Sequence, residues 1–398
     1  MVVRNIVLLC ICQLISATGS IVLVTLGGII GARLAGDPAW ATLPVSIMVV
    51  AVAATTVPAT LLMRAIGRRR GFALSSLSAA CAVLLAAHAL ASDSFGLFIA
   101  AAGLFGVNMA FTQQYRYAAA ESVTPSLAAR AISLVLLGAI GGALVGPELV
   151  RWGQFSIENV PYAGTLVAVS GLYVLQSVLF LFLGPMRGED GSTPDRKHRS
   201  LSSIVRQPLF IVAVLGGTTA YGVMTLIMTA TPLSMHIMDG YSLDETAAII
   251  RSHVLGMYAP SLVSGFLMER LGIARMMKLG AAGLTAACIV GLQGQSVMHY
   301  WLALVLLGVG WNFLYVGGTT MLTMSYSISE RFRAQAVNEF SVFGTSAAAS
   351  LLAGTVLYYF GWPTLVLLPL PLLLACLIGL YAVRGDGRLG RSTRRVTG

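Results

Sequence analysis

Apolar runs of about 20 residues recur from one end of this sequence to the other, and few folds can accommodate them. An α-helix needs about that length to cross a hydrocarbon core roughly 30 Å thick while pairing every backbone N–H and C=O within itself. Twelve runs can be marked, at 6–30, 40–63, 72–91, 95–119, 129–150 and 162–183, then 209–231, 247–268, 277–292, 300–324, 337–359 and 363–383. With 57% hydrophobic and only 10% charged residues, and a mean hydropathy of +0.84, the chain lacks the polar surface of a water-soluble globule. The expected fold class is therefore an all-α integral membrane protein. A cleavable signal peptide is the competing reading of the N-terminus, but its removal would leave an odd number of spans.

Charge sets the expected orientation. When the 25 Lys and Arg residues are assigned to alternate sides of the membrane, nearly all fall on one side. Arg33 and Arg151 fall on the other, and Arg116 and Arg251 lie within or near spans. Cytoplasmic loops retain Lys and Arg, so both termini and the long middle loop are expected in the cytoplasm of a cell whose inner membrane holds this multi-pass chain. The formal charge of +10 then reports topology rather than nucleic-acid binding. Membrane lipids are the expected surroundings, and a basic tail at 385–398 would touch anionic head groups.

The only long soluble stretch, "RGEDGSTPDRKHRSLSS" at 187–203, is rich in charge, Gly, Pro and Ser and reads as a linker. It separates a six-helix half at 1–185 from a second at 207–384, with 186–206 between them. Two short basic turns occupy matching places in the halves, "MRAIGRRRG" from Met63 and "MERLGIARM" from Met268, and Gly67 and Gly272 are 205 residues apart. Such repetition marks transporters built from two related halves.

In the second turn, Gly265, Leu267, Glu269, Arg270 and Gly272 resemble the Gly-x-Leu-x-(Asp/Glu)-Arg-x-Gly signature of the major facilitator superfamily. In the first, Leu62, Gly67, Arg68 and Arg69 agree, whereas Thr60 replaces the glycine and Arg64 stands where the acid is expected. The resemblance implies two six-helix halves that alternate access to a central solute site. A gating role is expected for Glu269 and Arg270. For Arg68 to Arg70, gating competes with simple retention of positive charge inside. In the fifth span, Gly138, Gly142 and Gly146 recur every fourth residue and Pro147 follows. Close helix packing explains the stripe, and Pro147 is expected to end or kink the run. The same residues resemble a Gly-x-x-x-Gly-Pro signature of proton-driven exporters in that superfamily.

Polar residues within spans are costly and tend to face a cavity or one another. Asn108, Thr112 and Arg116 share a face of the fourth span with Tyr115 beside them. Thr218, Tyr221 and Thr225 lie on the seventh, and Trp311, Tyr315 and Thr319 on the tenth with Asn312 adjacent. Gln13 in the first span completes the candidate cavity set, which suits a planar or aromatic solute held by stacking and hydrogen bonds. Helix-to-helix hydrogen bonding is the plainer alternative for Asn and Thr. In the eighth span His253, with Arg251 nearby, is the candidate proton-coupling residue, set against a structural histidine. Glu339, Glu148 and Glu121 are expected near span ends.

No phosphate-binding loop, paired-histidine zinc motif or nucleophile elbow is present, so the chain is not expected to be an enzyme. Neither a cofactor nor a metal is implied. The five cysteines all fall in apolar runs and read as packing residues. The runs from Thr229, His253 and Gly308 resemble a proteobacterial branch of the superfamily that includes riboflavin transporters. A monomeric secondary transporter of a small organic solute is the expected function, with riboflavin or a similar aromatic vitamin as the specific expectation and protons as a possible coupling partner. The alternatives are a proton-coupled drug or metabolite exporter and a non-transporting membrane sensor or scaffold.

Overall fold

The computed structural model describes residues 2–36, 40, 43–158, 160–186 and 199–383. Most of the expected linker, 187–198, and the basic tail lie outside the described residues. The helices in chain order are α1 (Val2–Leu34), α2 (Leu43–Ile66), α3 (Arg68–Ala91), α4 (Phe95–Thr112), α5 (Tyr115–Glu121), α6 (Ala128–Gly153), α7 (Ala163–Leu181), α8 (Leu201–Val205), α9 (Pro208–Pro232), α10 (Leu243–Tyr258), α11 (Ser261–Leu271), α12 (Ile273–Gln293), α13 (Val297–Thr323), α14 (Arg331–Leu367) and α15 (Leu370–Ala382). No strand occurs among the described residues.

Ten described segments are long and apolar enough to cross a membrane. One of them, Ile328–Ala382, is 55 residues long and is broken at Gly361, whose φ of 75° is open to glycine and strained for other residues. It supplies two spans. The eighth expected span is absent from the ten because it is broken into α10 and α11 at Ala259–Pro260. Counted this way, the helices amount to the twelve expected crossings.

The chain forms two compact units, Met1–Ser122 with Leu134–Ser192, and Val123–Ser133 with Thr193–Gly398. Residues 123–133 group with the second unit. In the first unit, alanines 79, 80, 82, 86 and 89 of α3 are buried with Phe98 and Phe105 of α4 and Leu166, Val169 and Tyr173 of α7. Small side chains on α3 permit this close approach, and contact area replaces the hydrophobic effect as the drive for association in lipid.

In the second unit α13 is the central helix, and its glycines explain why. A Cβ at Gly310 would lie 2.7 Å from the Leu284 nitrogen of α12, and one at Gly308 would lie 2.6 Å from the His253 carbonyl of α10. Only hydrogen fits at these positions, so α13 meets both neighbours almost backbone to backbone. Trp311, Asn312 and Tyr315 are thereby carried into the interior.

The two basic turns share one geometry. Gly67 has φ 83° and ψ 156°, and Gly272 has φ 87° and ψ 149°, a region accessible essentially to glycine alone. The repeat read from sequence is thus also a repeat of backbone conformation. A second correspondence joins the halves: 3₁₀ turns at Pro125–Leu127 and Ile328–Glu330 precede α6 and α14.

Candidate functional site

Aromatic rings from four helices meet in the second unit. α9 supplies Tyr221, α10 Tyr258, α13 Trp311 and Tyr315, and α14 Phe343. Trp311 and Tyr315, one turn apart on α13, are stacked with centroids 4.7 Å apart and planes inclined by 25°. Tyr221 is the hub, with its centroid 5.4 Å from Trp311, 4.9 Å from Tyr315 and 5.1 Å from Phe343. Tyr258 lies edge-on to Trp311 at 5.8 Å. Trp311 and Tyr315 are buried, whereas Tyr221, Tyr258 and Thr218 are half-buried. The half-buried members form an accessible wall backed by the buried pair.

The polar groups around this wall are few. Thr225 Oγ1 and Ser346 Oγ are hydrogen-bonded at 2.7 Å. Trp311 Nε1 and Thr218 Oγ1 are shielded from solvent and have no hydrogen-bond partner. A buried polar group left in that state costs about 1–3 kcal/mol. Neither α9 nor α13 contains an Asp, Glu, Lys or Arg. The wall's own side chains are aromatic and uncharged, with unused hydrogen-bonding capacity, which suits a flat, polar-edged, uncharged solute.

The amide nitrogen of Asn312 is occupied by the protein itself, while its Oδ1 is buried without a partner. Its Nδ2 donates to the Met257 carbonyl and to Ser261 Oγ, both at 2.7 Å, tying α13 to the α10–α11 break. Asn108 does the same service in the first unit, donating to the Ser75 carbonyl at 3.0 Å and to Ser75 Oγ at 3.2 Å. Both fit the interhelical reading that stood beside the cavity reading.

The other first-unit candidates are also bonded to protein. Gln176 Nε2 donates to Tyr115 Oη at 3.0 Å, Ser16 Oγ at 2.8 Å and the Cys12 carbonyl at 2.9 Å, and Thr112 Oγ1 donates to Ser16 Oγ at 3.4 Å. Arg116 donates to the Gln113 carbonyl at 2.7 Å and to Tyr117 Oη at 3.2 Å, and it is buried rather than reaching to water. Half-buried Gln13 lies against Gly138, where a Cβ would stand 3.0 Å from its own.

His253 and Arg251 separate. Two residues apart on a helix are about 200° apart around it, and Arg251 is exposed whereas His253 is fully buried. Arg251 therefore does not face the imidazole. His253 Nδ1 is 2.8 Å from the Leu304 carbonyl, which can only accept, so the proton is on Nδ1. Nε2 is buried without a partner. Glu339, expected near a span end, is fully buried on α14, where Asn338 Nδ2 donates to its Oε1 at 2.8 Å.

At the turns, Arg68 is fully buried and donates through Nε and Nη2 to both carboxylate oxygens of Glu121, each at 2.7 Å. Its Nη1 reaches Gln114 Oε1 at 3.4 Å. Arg64 therefore does not leave the first turn without an acid, because Glu121 of α5 supplies one. In the second turn Glu269 pairs with Arg130 at the start of α6, while Arg270 is exposed. Gly265 allows this meeting, since a Cβ there would lie 2.8 Å from Arg130 Cα. In the fifth span, a Cβ at Gly142 would stand 2.5 Å from Ala17 Cβ and one at Gly146 would stand 3.0 Å from Ile21 Cγ2. Gly138 meets the Cys10 carbonyl in the same way. The stripe faces α1, and α6 continues through Pro147 to Gly153 rather than ending there.

The profile of the Major Facilitator Superfamily matches residues 9–311. The chain belongs to the Major Facilitator Superfamily. Among its relatives, the riboflavin transporter RfnT of Brucella anthropi is 39% identical over 379 residues, covering 95% of each chain. The uncharacterised MFS-type transporter YdeG of Bacillus subtilis is 29% identical over 374 residues, covering 89% of this chain and 85% of its own. Solved facilitator structures share the fold. The Escherichia coli fucose:proton symporter FucP aligns over 95% of this chain and 98% of its own, with a TM-score of 0.76 at 16% identity. The human organic anion transporter MFSD10 aligns over 95% and 99%, with a TM-score of 0.77 at 15% identity. This facilitator is thus a multi-pass membrane transporter of a small solute, not an enzyme. Tyr258, Phe343, Ser16 and Gln176 were not singled out by the sequence reading, because a lone aromatic or polar residue in an apolar run has no periodic signal and acquires meaning only from neighbours on other helices.

Proposed function

We propose that the protein imports riboflavin, or a closely similar flat vitamin, across the cytoplasmic membrane by alternating access of its two halves. The observation that carries this reading is the aromatic wall of Tyr221, Tyr258, Trp311, Tyr315 and Phe343 with its unpartnered Trp311 N–H. Aromatic side chains stack on a planar ring, and the few polar groups fix its orientation. The similarity to a riboflavin transporter along 95% of the chain supports the same solute class.

The distribution of Lys and Arg supports cytoplasmic termini, and a monomer suffices because the aromatic wall is built from one chain. Proton coupling is assigned to His253, whose Nε2 carries a free lone pair in a fully buried position. Uptake of labelled riboflavin into vesicles containing the purified protein, with and without an imposed proton gradient and beside empty vesicles, tests the reading. Saturable, gradient-stimulated uptake is expected. Uptake no greater than in empty vesicles, with the protein inserted in active orientation, overturns it.

A further inference from the structure

Thr218 and its neighbour Thr219 depart from the commonest habit of the helical threonines. Thr56, Thr60, Thr231, Thr285 and Thr320 each donate to the carbonyl four residues earlier, at 2.8–2.9 Å. That bond satisfies a hydroxyl inside a membrane helix with only a slight strain on the helix itself. Thr218 Oγ1 makes no such bond and has no other partner, although it is shielded from solvent. Trp311 is 1% exposed, and its Nε1–H is equally unused. Two unsatisfied groups thus adjoin one aromatic cluster: Thr218 lies one turn before Tyr221 on α9, and Trp311 packs on the Tyr221 ring.

Groups of this kind weaken the empty protein and are repaid only when something bonds to them. α9 and α13 carry no formal charge, α14 places the buried acid Glu339 one turn before Phe343, and Arg251 of α10 is exposed, which together restrict what that something is. An anion brought against this wall would lose its hydration without a cation to replace it.

Resting on the flavin reading of this site, we infer that Trp311 and Thr218 are its specificity-determining residues. The indole N–H donates to a carbonyl oxygen or imino nitrogen at the edge of an oxidised heteroaromatic ring. The threonine hydroxyl bonds a second edge atom, and the uncharged wall selects the free vitamin over its phosphate ester. A site built to hydrogen-bond its solute rejects an analogue that leaves those groups unpaired far more strongly than an apolar pocket does.

The test uses the full-length protein in detergent, with riboflavin and riboflavin 5′-phosphate as probes. Binding is followed by quenching of flavin fluorescence, and thermal stability is measured without ligand. Thr218→Val replaces the unpaired hydroxyl by a methyl of the same shape, so its Tm without ligand is expected to equal or exceed that of the wild type. Its riboflavin affinity is expected to fall about tenfold. Trp311→Phe keeps an aromatic ring, loses the N–H and is expected to show a similar loss, and the phosphate ester is expected to bind the wild type at least about tenfold more weakly than riboflavin.

Variants that bind riboflavin as the wild type does overturn the inference, as does equal binding of the phosphate ester. A Thr218→Val protein that loses Tm together with affinity also overturns it, because that pattern marks a structural hydroxyl. Wild-type protein that binds no riboflavin removes the flavin reading, and the inference with it.

Discussion

Arg68 grips Glu121 with two parallel hydrogen bonds of 2.7 Å at a position where the arginine is 0% exposed. The fork of the guanidinium matches the two carboxylate oxygens, a geometry that lysine cannot reproduce. The pair braces α3 against α5 within the first unit. Removing one partner leaves the other charge buried and uncompensated, which costs about 3–5 kcal/mol. Arg68→Gln and Glu121→Gln are therefore expected to lower Tm sharply in detergent, and Arg68→Lys is expected to recover little of the loss. Replacing both partners together, Arg68→Met with Glu121→Leu, is expected to be milder than either single change. Single variants that melt like the wild type would refute the brace.

The twin turns give a cleaner measure of backbone strain. No atom lies within 4 Å of a Cβ built at Gly67 or Gly272, so alanine meets no steric clash at either place. Both residues nevertheless hold a conformation that L-residues rarely adopt, and imposing it on alanine costs about 1–3 kcal/mol. Gly67→Ala and Gly272→Ala are expected to destabilise by similar amounts. Gly96→Ala, with nothing within 4 Å and ordinary helical geometry at the start of α4, serves as the control and is expected to be neutral or stabilising. Equal melting of all three variants and the wild type would show that the turns relax at no cost.

The helical architecture was legible because membrane spans are specified by length and apolarity, quantities that a sequence displays directly. Breaks inside spans were less visible. The break at Gly361 falls in the gap already expected between the runs at 337–359 and 363–383, whereas Ala259–Pro260 divides a run read as continuous, and Pro147, an equally plain sequence signal, divides nothing. At the site, the faces carrying Tyr221, Trp311 and Tyr315 were read from four-residue spacing, and the rings do meet. The same spacing also selected Asn108, and Asn312 entered as the neighbour of Trp311; the amide nitrogens of both spend their hydrogen bonds on neighbouring helices. Periodicity identifies a buried face but not the helix it is buried against. For that reason the partners Glu121 for Arg68 and Arg130 for Glu269 were beyond sequence reasoning. Each lies on an element distant in the chain, and the nearest sequence neighbour, Arg270, turned out to be exposed.

Substitutions at the aromatic wall should separate transport from folding. Tyr221 touches Trp311, Tyr315 and Phe343, so Tyr221→Ala is expected to abolish riboflavin uptake. Trp311→Ala and Tyr315→Ala are expected to reduce uptake at least tenfold while membrane abundance, measured by immunoblot, stays within about twofold. Loss of a stacked pair accounts for about 0.5–1.5 kcal/mol beyond area burial, and solute contact supplies the remainder. Unchanged uptake per molecule of protein would remove these residues from the site.

The Arg130 and Glu269 pair is partly open to solvent, with side-chain exposures of 39% and 27%, and the Arg130 guanidinium also lies 4.3 Å from the centre of the Phe266 ring. Ion pairs this exposed contribute about 0–1 kcal/mol to stability. Glu269→Gln is thus expected to leave Tm nearly unchanged. If the pair serves as a gating latch, the variant will alter the rate of riboflavin exchange between vesicle lumen and medium, and the reversed pair, Arg130→Glu with Glu269→Arg, will restore part of it. Exchange rates unaffected by either change would confine the pair to a surface contact.

His253 gives the proton-coupling proposal its sharpest test. With Nδ1–H donating to the Leu304 carbonyl, the buried Nε2 is the only nitrogen of the ring available to take up a proton, and glutamine can keep one hydrogen bond without offering a basic site. His253→Gln is therefore expected to abolish accumulation driven by a proton gradient while sparing counterflow, in which labelled solute exchanges for unlabelled solute with no gradient. A structural histidine would instead lose both activities together or neither. Glu339, the fully buried carboxylate of the same unit, provides the comparison. If Glu339→Gln loses accumulation but keeps counterflow while His253→Gln transports normally, coupling belongs to the carboxylate and the assignment to His253 is wrong.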